Sequence, residues 1–157
     1  MRKRIISKTD HEPPPASPQW LDIERLAQVE VTSEDPAHPI DAALVPSAGS
    51  GWRPGEPGEQ TVRLLFDQPQ KVRRMRLVFQ ELNQPRTQQF VLRWSPDGGQ
   101  SYREVVRQQY NFSPPDTISE TEDYIVDLDG VTALELNIVP DISGGPARAW
   151  LSELRLA

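Results

Sequence analysis

Phe90 to Tyr102, FVLRWSPDGGQSY, is the stretch whose reading decides the fold. Phe90, Leu92 and Trp94 alternate with Val91 and Arg93, the period of two shown by a strand with one buried face. Asp97-Gly98-Gly99 then supplies residues that tolerate positive φ. Behind Tyr102, Arg103 to Arg107 returns as a second alternating run. Strand, D-G-G turn and strand predict a β-hairpin with a glycine-bearing bulge, and Trp94, in phase with Phe90 and Leu92, is expected in the core.

On either side of the hairpin the same period recurs. Thr61 to Phe66 puts Val62, Leu64 and Phe66 on one face. Val72 to Phe79 turns Met75, Leu77 and Phe79 inward and Arg74, Arg76 and Val78 outward. Tyr124 to Leu128, Ala133 to Val139 and Trp150 to Leu156 supply three further strands, and Trp20 to Val31 reads as a short turn and a first strand. About eight short strands without helix–strand alternation or internal repeat predict an all-β, antiparallel two-sheet β-sandwich with jelly-roll connections. Sixteen prolines and nine glycines fit long loops rather than long helices. The expected loops are Thr32 to Gly58, with a helical turn over Ile40 to Leu44, then Gln80 to Gln88 and Gln109 to Glu122.

A length of 157 residues fits one folded domain over residues 19–157. Residues 1–18 read as a disordered basic, proline-rich tail, because His11-Glu-Pro-Pro-Pro-Ala-Ser-Pro18 can hold neither a helix nor a sheet ladder. Without cysteine there is no disulfide, thiol nucleophile or zinc–thiolate site. The basic start MRKRIISK lacks the apolar stretch of a signal peptide, and no segment approaches the roughly 20 apolar residues of a membrane span. A cytoplasmic location is the resulting expectation. The net charge is −6, and the tail holds four bases against two acids, so the folded part is more acidic than the total. Such a body discourages general binding to a phosphate backbone.

Val29 to Trp52, VEVTSEDPAHPIDAALVPSAGSGW, resembles the opening of the discoidin or coagulation-factor type C domains. These are galactose-binding-like jelly rolls, a group that includes many carbohydrate-binding modules. Gln60 to Phe66 with Val72 to Val78, the hairpin from Trp94 to Tyr102, and Ala149 to Arg155 resemble that family's later strands, in order, over residues 20–157. The resemblance implies a sugar held by loops at one end of the sandwich, Trp52 as a structural indole, and a calcium ion beside the first long loop. Here Val45 to Trp52 lacks the usual Asp-Gly-Asp or Asn-Gly, which leaves backbone carbonyls with Asp41 and Glu153 as the candidate calcium ligands. A loop held by Pro46 and its own hydrogen bonds, without metal, is the competing expectation.

Catalytic chemistry finds little to stand on. His38 is the only histidine of the folded part, and Asp35, Asp41, Ser33 and Ser47 nearby form no nucleophile elbow. Acid pairs Glu34-Asp35 and Glu122-Asp123 read as solvated charge, and no phosphate loop or metal motif is present. The prediction is a non-catalytic binding module, not an enzyme. A sugar site needs an aromatic face and a few polar groups, which makes His38, Arg53, Arg86, Tyr110, Asn111 and Phe112 the candidate ligand contacts. Two alternatives stand beside carbohydrate: a cytoplasmic protein–protein interaction domain using the same loops, and nucleic-acid association through Arg74, Arg76 and Arg93. Against the last, these arginines are expected to pair with acids such as Glu135 on neighbouring strands.

Overall fold

The computed structural model describes residues 19–46 and 49–157. The expected tail over residues 1–18 therefore lies outside the described residues, as does Ser47. Two helical turns and six strands follow in the order α1 (Ile23–Leu26), β1 (Ala27–Val31), α2 (Asp41–Leu44), β2 (Gln60–Gln80), β3 (Arg86–Ser95), β4 (Arg103–Phe112), β5 (Ser119–Val139) and β6 (Leu151–Leu156).

The two 21-residue strands, β2 and β5, organise everything else. They run antiparallel from Gln60 opposite Ile138 to Gln80 opposite Ser119. Between Leu65 and Arg74 the register slips. Pro69 there cannot donate to the ladder, and Gly130 opposite takes φ +70°. The paired ribbon folds back on itself at that point. The first half of β2 pairs with β1, and the second half with β6. The second half of β5 pairs with β3, which pairs with β4. One sheet thus holds five strand segments and the other three, the expected antiparallel two-sheet sandwich. Of the eight strands read from the sequence, Thr61–Phe66 and Val72–Phe79 are halves of β2, and the two runs between Tyr124 and Val139 are halves of β5.

The inner faces meet in one core. Phe79 of the smaller sheet and Phe90 of the larger lie 5.1 Å apart between ring centroids. Val62, Leu64, Met75, Leu77, Leu92 and Ile138 are all buried around them, each worth about 1.5–3 kcal/mol on full burial. The β3–β4 hairpin forms as expected, but its bulge does not lie at the glycines. The register breaks between Leu92 and Arg93, leaving Val105 as the extra residue on β4. The connection is held by Asp97 instead, whose carboxylate accepts from the hydroxyls of Ser101 (2.5 Å) and Ser95 (2.6 Å). Those two hydroxyls and the Ser101 N–H hold the Asp97 carboxyl down to about 2. Trp94, expected in the core, is only partly buried and carries Arg103 over its ring at 5.3 Å.

Because β2 and β5 fold back, four connections arrive at one end: residues 32–59, 81–85, 113–118 and 140–150. The hairpin turn and the two folds of the ribbon occupy the other end. Two loops are shorter than expected. β3 already begins at Arg86, β4 continues to Phe112, and β5 starts at Ser119. Tyr110 and Phe112 turning inward around an exposed Asn111 is a strand pattern that the polar composition of the segment concealed. Among the described residues no helix is long and apolar enough to cross a membrane.

Candidate functional site

The long β1–β2 connection is a tethered loop at the crowded end. The Asp35 N–H donates to the Arg53 carbonyl (2.9 Å), and the Arg53 N–H donates to the His38 carbonyl (3.1 Å). The carboxylate of Glu34 accepts the Ile40 N–H at 2.6 Å. Trp52 and Leu151 exchange backbone hydrogen bonds at 2.8 and 3.1 Å, joining the loop to the start of β6. Gly51 is required there: it takes φ +104°, and a Cβ would stand 2.4 Å from the Leu151 carbonyl oxygen. Trp52 is fully buried with its indole N–H on the Ser33 carbonyl, the structural role that the resemblance implied.

This tethering brings His38 and Arg53 together and adds Asp35, Arg148 and Trp150, none of them among the ligand contacts expected from the sequence. His38 Nδ1 lies 3.4 Å from the Asp35 carboxylate. The Arg53 guanidinium stacks over the Trp150 ring at 4.8 Å, within the range of a cation–π contact. The indole N–H of Trp150 donates to the Ser50 carbonyl at 2.9 Å, which fixes the ring while it stays part-exposed. Arg148 is exposed, and its charge reaches Asp35. The Ala37 N–H, then His38 and Arg148, hold the Asp35 carboxyl below the usual carboxylate range. Ser33 is no nucleophile for His38: its hydroxyl donates to Gln60 Oε1 at 2.8 Å and accepts the Gly55 N–H. Trp150 escaped the sequence reading because it precedes a strand, and nothing in a linear pattern shows that the loop around Arg53 folds onto it.

The other candidates form a second group, and two of them are buried. Arg86 is a β3 residue, not a loop donor, and is 4% exposed. It donates to Glu81 (2.6 Å), the Pro140 carbonyl (2.7 Å), Gln88 (3.0 Å) and the Gln80 carbonyl (3.1 Å), and it lies over Phe112 at 4.5 Å. Phe112, expected as an exposed loop aromatic, is 2% exposed and part of the core. Tyr110 is half-buried, its ring edge-on to Phe112 at 4.9 Å and its hydroxyl on the Ser119 carbonyl. Asn111 is exposed and accepts from the Thr87 hydroxyl at 2.7 Å. Beneath them lies Glu120, 1% exposed, with Oε1 accepting from Gln88 Nε2 at 3.2 Å. Burial, with Glu122 beside it, pushes the Glu120 carboxyl up to about 8. Burial also works to raise Glu81, but the Asn83 N–H and Arg86 outweigh it and hold that carboxyl below its ordinary value.

Asp41 and Glu153 line different grooves. The Glu153 carboxylate receives Arg76 Nε at 3.3 Å and stands 4.0 Å from Arg155. Arg155, 7% exposed, gives Nη1 to the Ala43 carbonyl at 2.6 Å. Asp41 faces a groove with Glu24, Val29 and Leu44 instead. Among the described residues no three acidic or histidine side chains converge as metal ligands.

Nor do the three strand arginines share a surface. Arg74 and Arg76, on the smaller sheet, both reach Asp123, at 3.1 and 3.6 Å, and Arg74 also covers Trp20. Arg93 lies on the larger sheet and pairs with Glu135 at 3.5 Å. Ion pairing of strand residues, as expected, accounts for all three.

No protein-family model matches the sequence, and no curated protein sequence matches it either. Solved structures do. The family 32 carbohydrate-binding module of Clostridium perfringens NanJ, in complex with galactose, is 12% identical, with a TM-score of 0.61 over 87% of this chain and 96% of that one. The CBM32 of AlyQ, in complex with 4,5-unsaturated mannuronic acid, is 11% identical, with a TM-score of 0.60 over 84% and 95%. Reduced XRCC1 bound to the catalytic domain of DNA polymerase β is 14% identical, with a TM-score of 0.58 over 84% and 95%. The chain shares its fold, an antiparallel two-sheet β-sandwich, with these carbohydrate-binding modules.

Proposed function

We propose that the protein is a non-catalytic carbohydrate-binding module whose site is the loop cluster Asp35, His38, Arg53, Arg148 and Trp150. The observation that carries this reading is the part-exposed indole of Trp150, pinned through its N–H to Ser50 and flanked by Arg53 at 4.8 Å. A pyranose offers a C–H face that packs on an aromatic ring and an edge of hydroxyls that need fixed donors and acceptors. Trp150 supplies the first, and Arg53, His38 and Asp35 the second. Fold neighbours whose structures hold galactose and an unsaturated mannuronic acid support the same reading. A glycan array followed by calorimetry tests it. At least one sugar should bind, and Trp150→Ala should abolish that binding while leaving the melting temperature within about 2 °C. Silence across the array, or a hit indifferent to Trp150→Ala, would sink this assignment.

A second reading rests on the rim of the same end, where Leu82, Ile118 and Ile142 are 49%, 39% and 50% exposed on three neighbouring loops. The Glu81 N–H to Ile118 carbonyl bond (2.9 Å) ties two of those loops together. Such a rim suits a protein partner, and the same fold in XRCC1 is bound to a polymerase domain. A silent glycan array together with a native partner that Ile142→Asp releases would favour it.

A further inference from the structure

Most described basic side chains hold a carboxylate partner; Arg25, Arg53, Arg103 and Arg148 hold none among the described residues. Arg103 is spent on Trp94 near the hairpin turn, and Arg25 sits on α1. The other two belong to the loop cluster around Trp150. Arg53 stacks on Trp150, and Arg148 precedes it by two residues in a segment where Ala147 and Ala149 are buried and Arg148 and Trp150 are not. Arg148 also stands near the same loop, where its charge acts on Asp35, whose N–H is bonded to the Arg53 carbonyl.

We infer that the sugar taken at this site is acidic: a uronic-acid residue whose carboxylate meets Arg53 and Arg148 while its ring lies against Trp150. The inference rests on the carbohydrate reading above and narrows it. A neutral sugar can take hydrogen bonds from these guanidiniums but leaves their charge without a partner. A carboxylate supplies that partner, because its planar pair of oxygens matches the guanidinium fork in charge and geometry. Asp35 does not cancel the pair. Its carboxylate is turned to its own loop, accepting the Ala37 N–H at 3.0 Å and facing His38 Nδ1 at 3.4 Å. Glu34 is similarly occupied by the Ile40 N–H. The net charge of −6 repels polyanions at long range, so the attraction is confined to this spot and does not extend to polyanions in general.

The test uses the full chain and a calorimetric series of galacturonate, glucuronate and mannuronate oligomers, each paired with its carboxyl-reduced neutral counterpart. At least one acidic oligomer should bind about tenfold or more tighter than its reduced partner, the size of one charge-assisted contact. Arg148→Gln should bring that acidic oligomer to the affinity of the reduced one with an unchanged melting temperature, since the side chain is exposed. Equal affinity within every pair overturns the acidic assignment and leaves the carbohydrate reading standing. Preference for a neutral glycan from the array does the same. Failure to bind any glycan removes both.

Discussion

Arg86 over Phe112 and Arg53 over Trp150 are the same chemical pair at the same end of the sandwich, at 4.5 and 4.8 Å. They differ in everything around them. Arg86 is enclosed, with four hydrogen-bond acceptors, one of them the Glu81 carboxylate at 2.6 Å. Arg53 is half-buried, and its guanidinium has no carboxylate partner among the described residues. A guanidinium that makes four hydrogen bonds inside the protein holds loops together, whereas one without such partners at the surface has something to offer a ligand.

The largest expected effect follows from breaking the enclosed member. Arg86→Ala leaves Glu81 buried without its cation and the Pro140 and Gln80 carbonyls without a donor. Losing one partner of such a pair costs about 3–5 kcal/mol, a fall in melting temperature on the order of 10 °C for a chain of this size. Arg53→Ala should move the melting temperature by about a fifth of that or less, because it removes one stacking contact and strands no buried carboxylate. Equal effects from the two substitutions, read by thermal melts, would erase the distinction.

A smaller effect separates the two regions by pH. Glu120 is held protonated in the folded chain up to about 8, chiefly by burial, against an ordinary value of 4.5. Below pH 4.5 both folded and unfolded chains carry the proton, and its stabilising share is fully present. As pH rises from 4.5 towards 8 the unfolded chain gives the proton up and the folded chain keeps it, so stability falls across that window. Gln88 and Glu122 are the polar neighbours that face this carboxyl, with Arg86 close by. Melting temperature should therefore decline between pH 5 and pH 8, and Glu120→Gln should flatten the decline. A slope unchanged by Glu120→Gln would assign the titration to another group.

In the sequence the two regions look alike, because strand phase is local and enclosure is not. Strand phase is a local property, so period alone places Val62, Leu64, Met75, Leu77 and Phe79 inward, and the glycine-rich turn marks the β3–β4 pair, which forms the edge of the larger sheet and not its centre. Whether an arginine next to an aromatic is enclosed depends on which loops arrive beside it, and that is decided by pairings far apart in sequence. Arg86 and Phe112 looked like loop residues because glutamine, asparagine and proline surround them. The fold of β2 and β5 places them under Pro140 and Glu81 instead. Trp150 looked like the first residue of a strand because its partner, the loop at Ser50 to Arg53, lies about a hundred residues earlier. Period two shows which face of a strand is buried, but not what covers its end.

Calcium supplies the last and smallest contrast, an expected effect of zero. Glu153 and the carbonyl of Ala43 are oxygens that a cation would use, and a cation already uses them: Arg155 donates to Ala43 at 2.6 Å and stands 4.0 Å from Glu153, while Arg76 takes the other oxygen at 3.3 Å. A divalent ion entering there would meet two guanidiniums at close range and too few free oxygens. Millimolar calcium, or excess chelator, should shift the melting temperature by less than about 1 °C, since only an ion that binds the folded chain can stabilise it by mass action. Arg155→Met should lower the melting temperature, because it leaves a buried carbonyl without its donor, and added calcium should not restore it. A rise on adding calcium to the unaltered chain would show that an ion displaces Arg155, and would turn this end of the sandwich from a place closed by its own arginines into one that is loaded from solution.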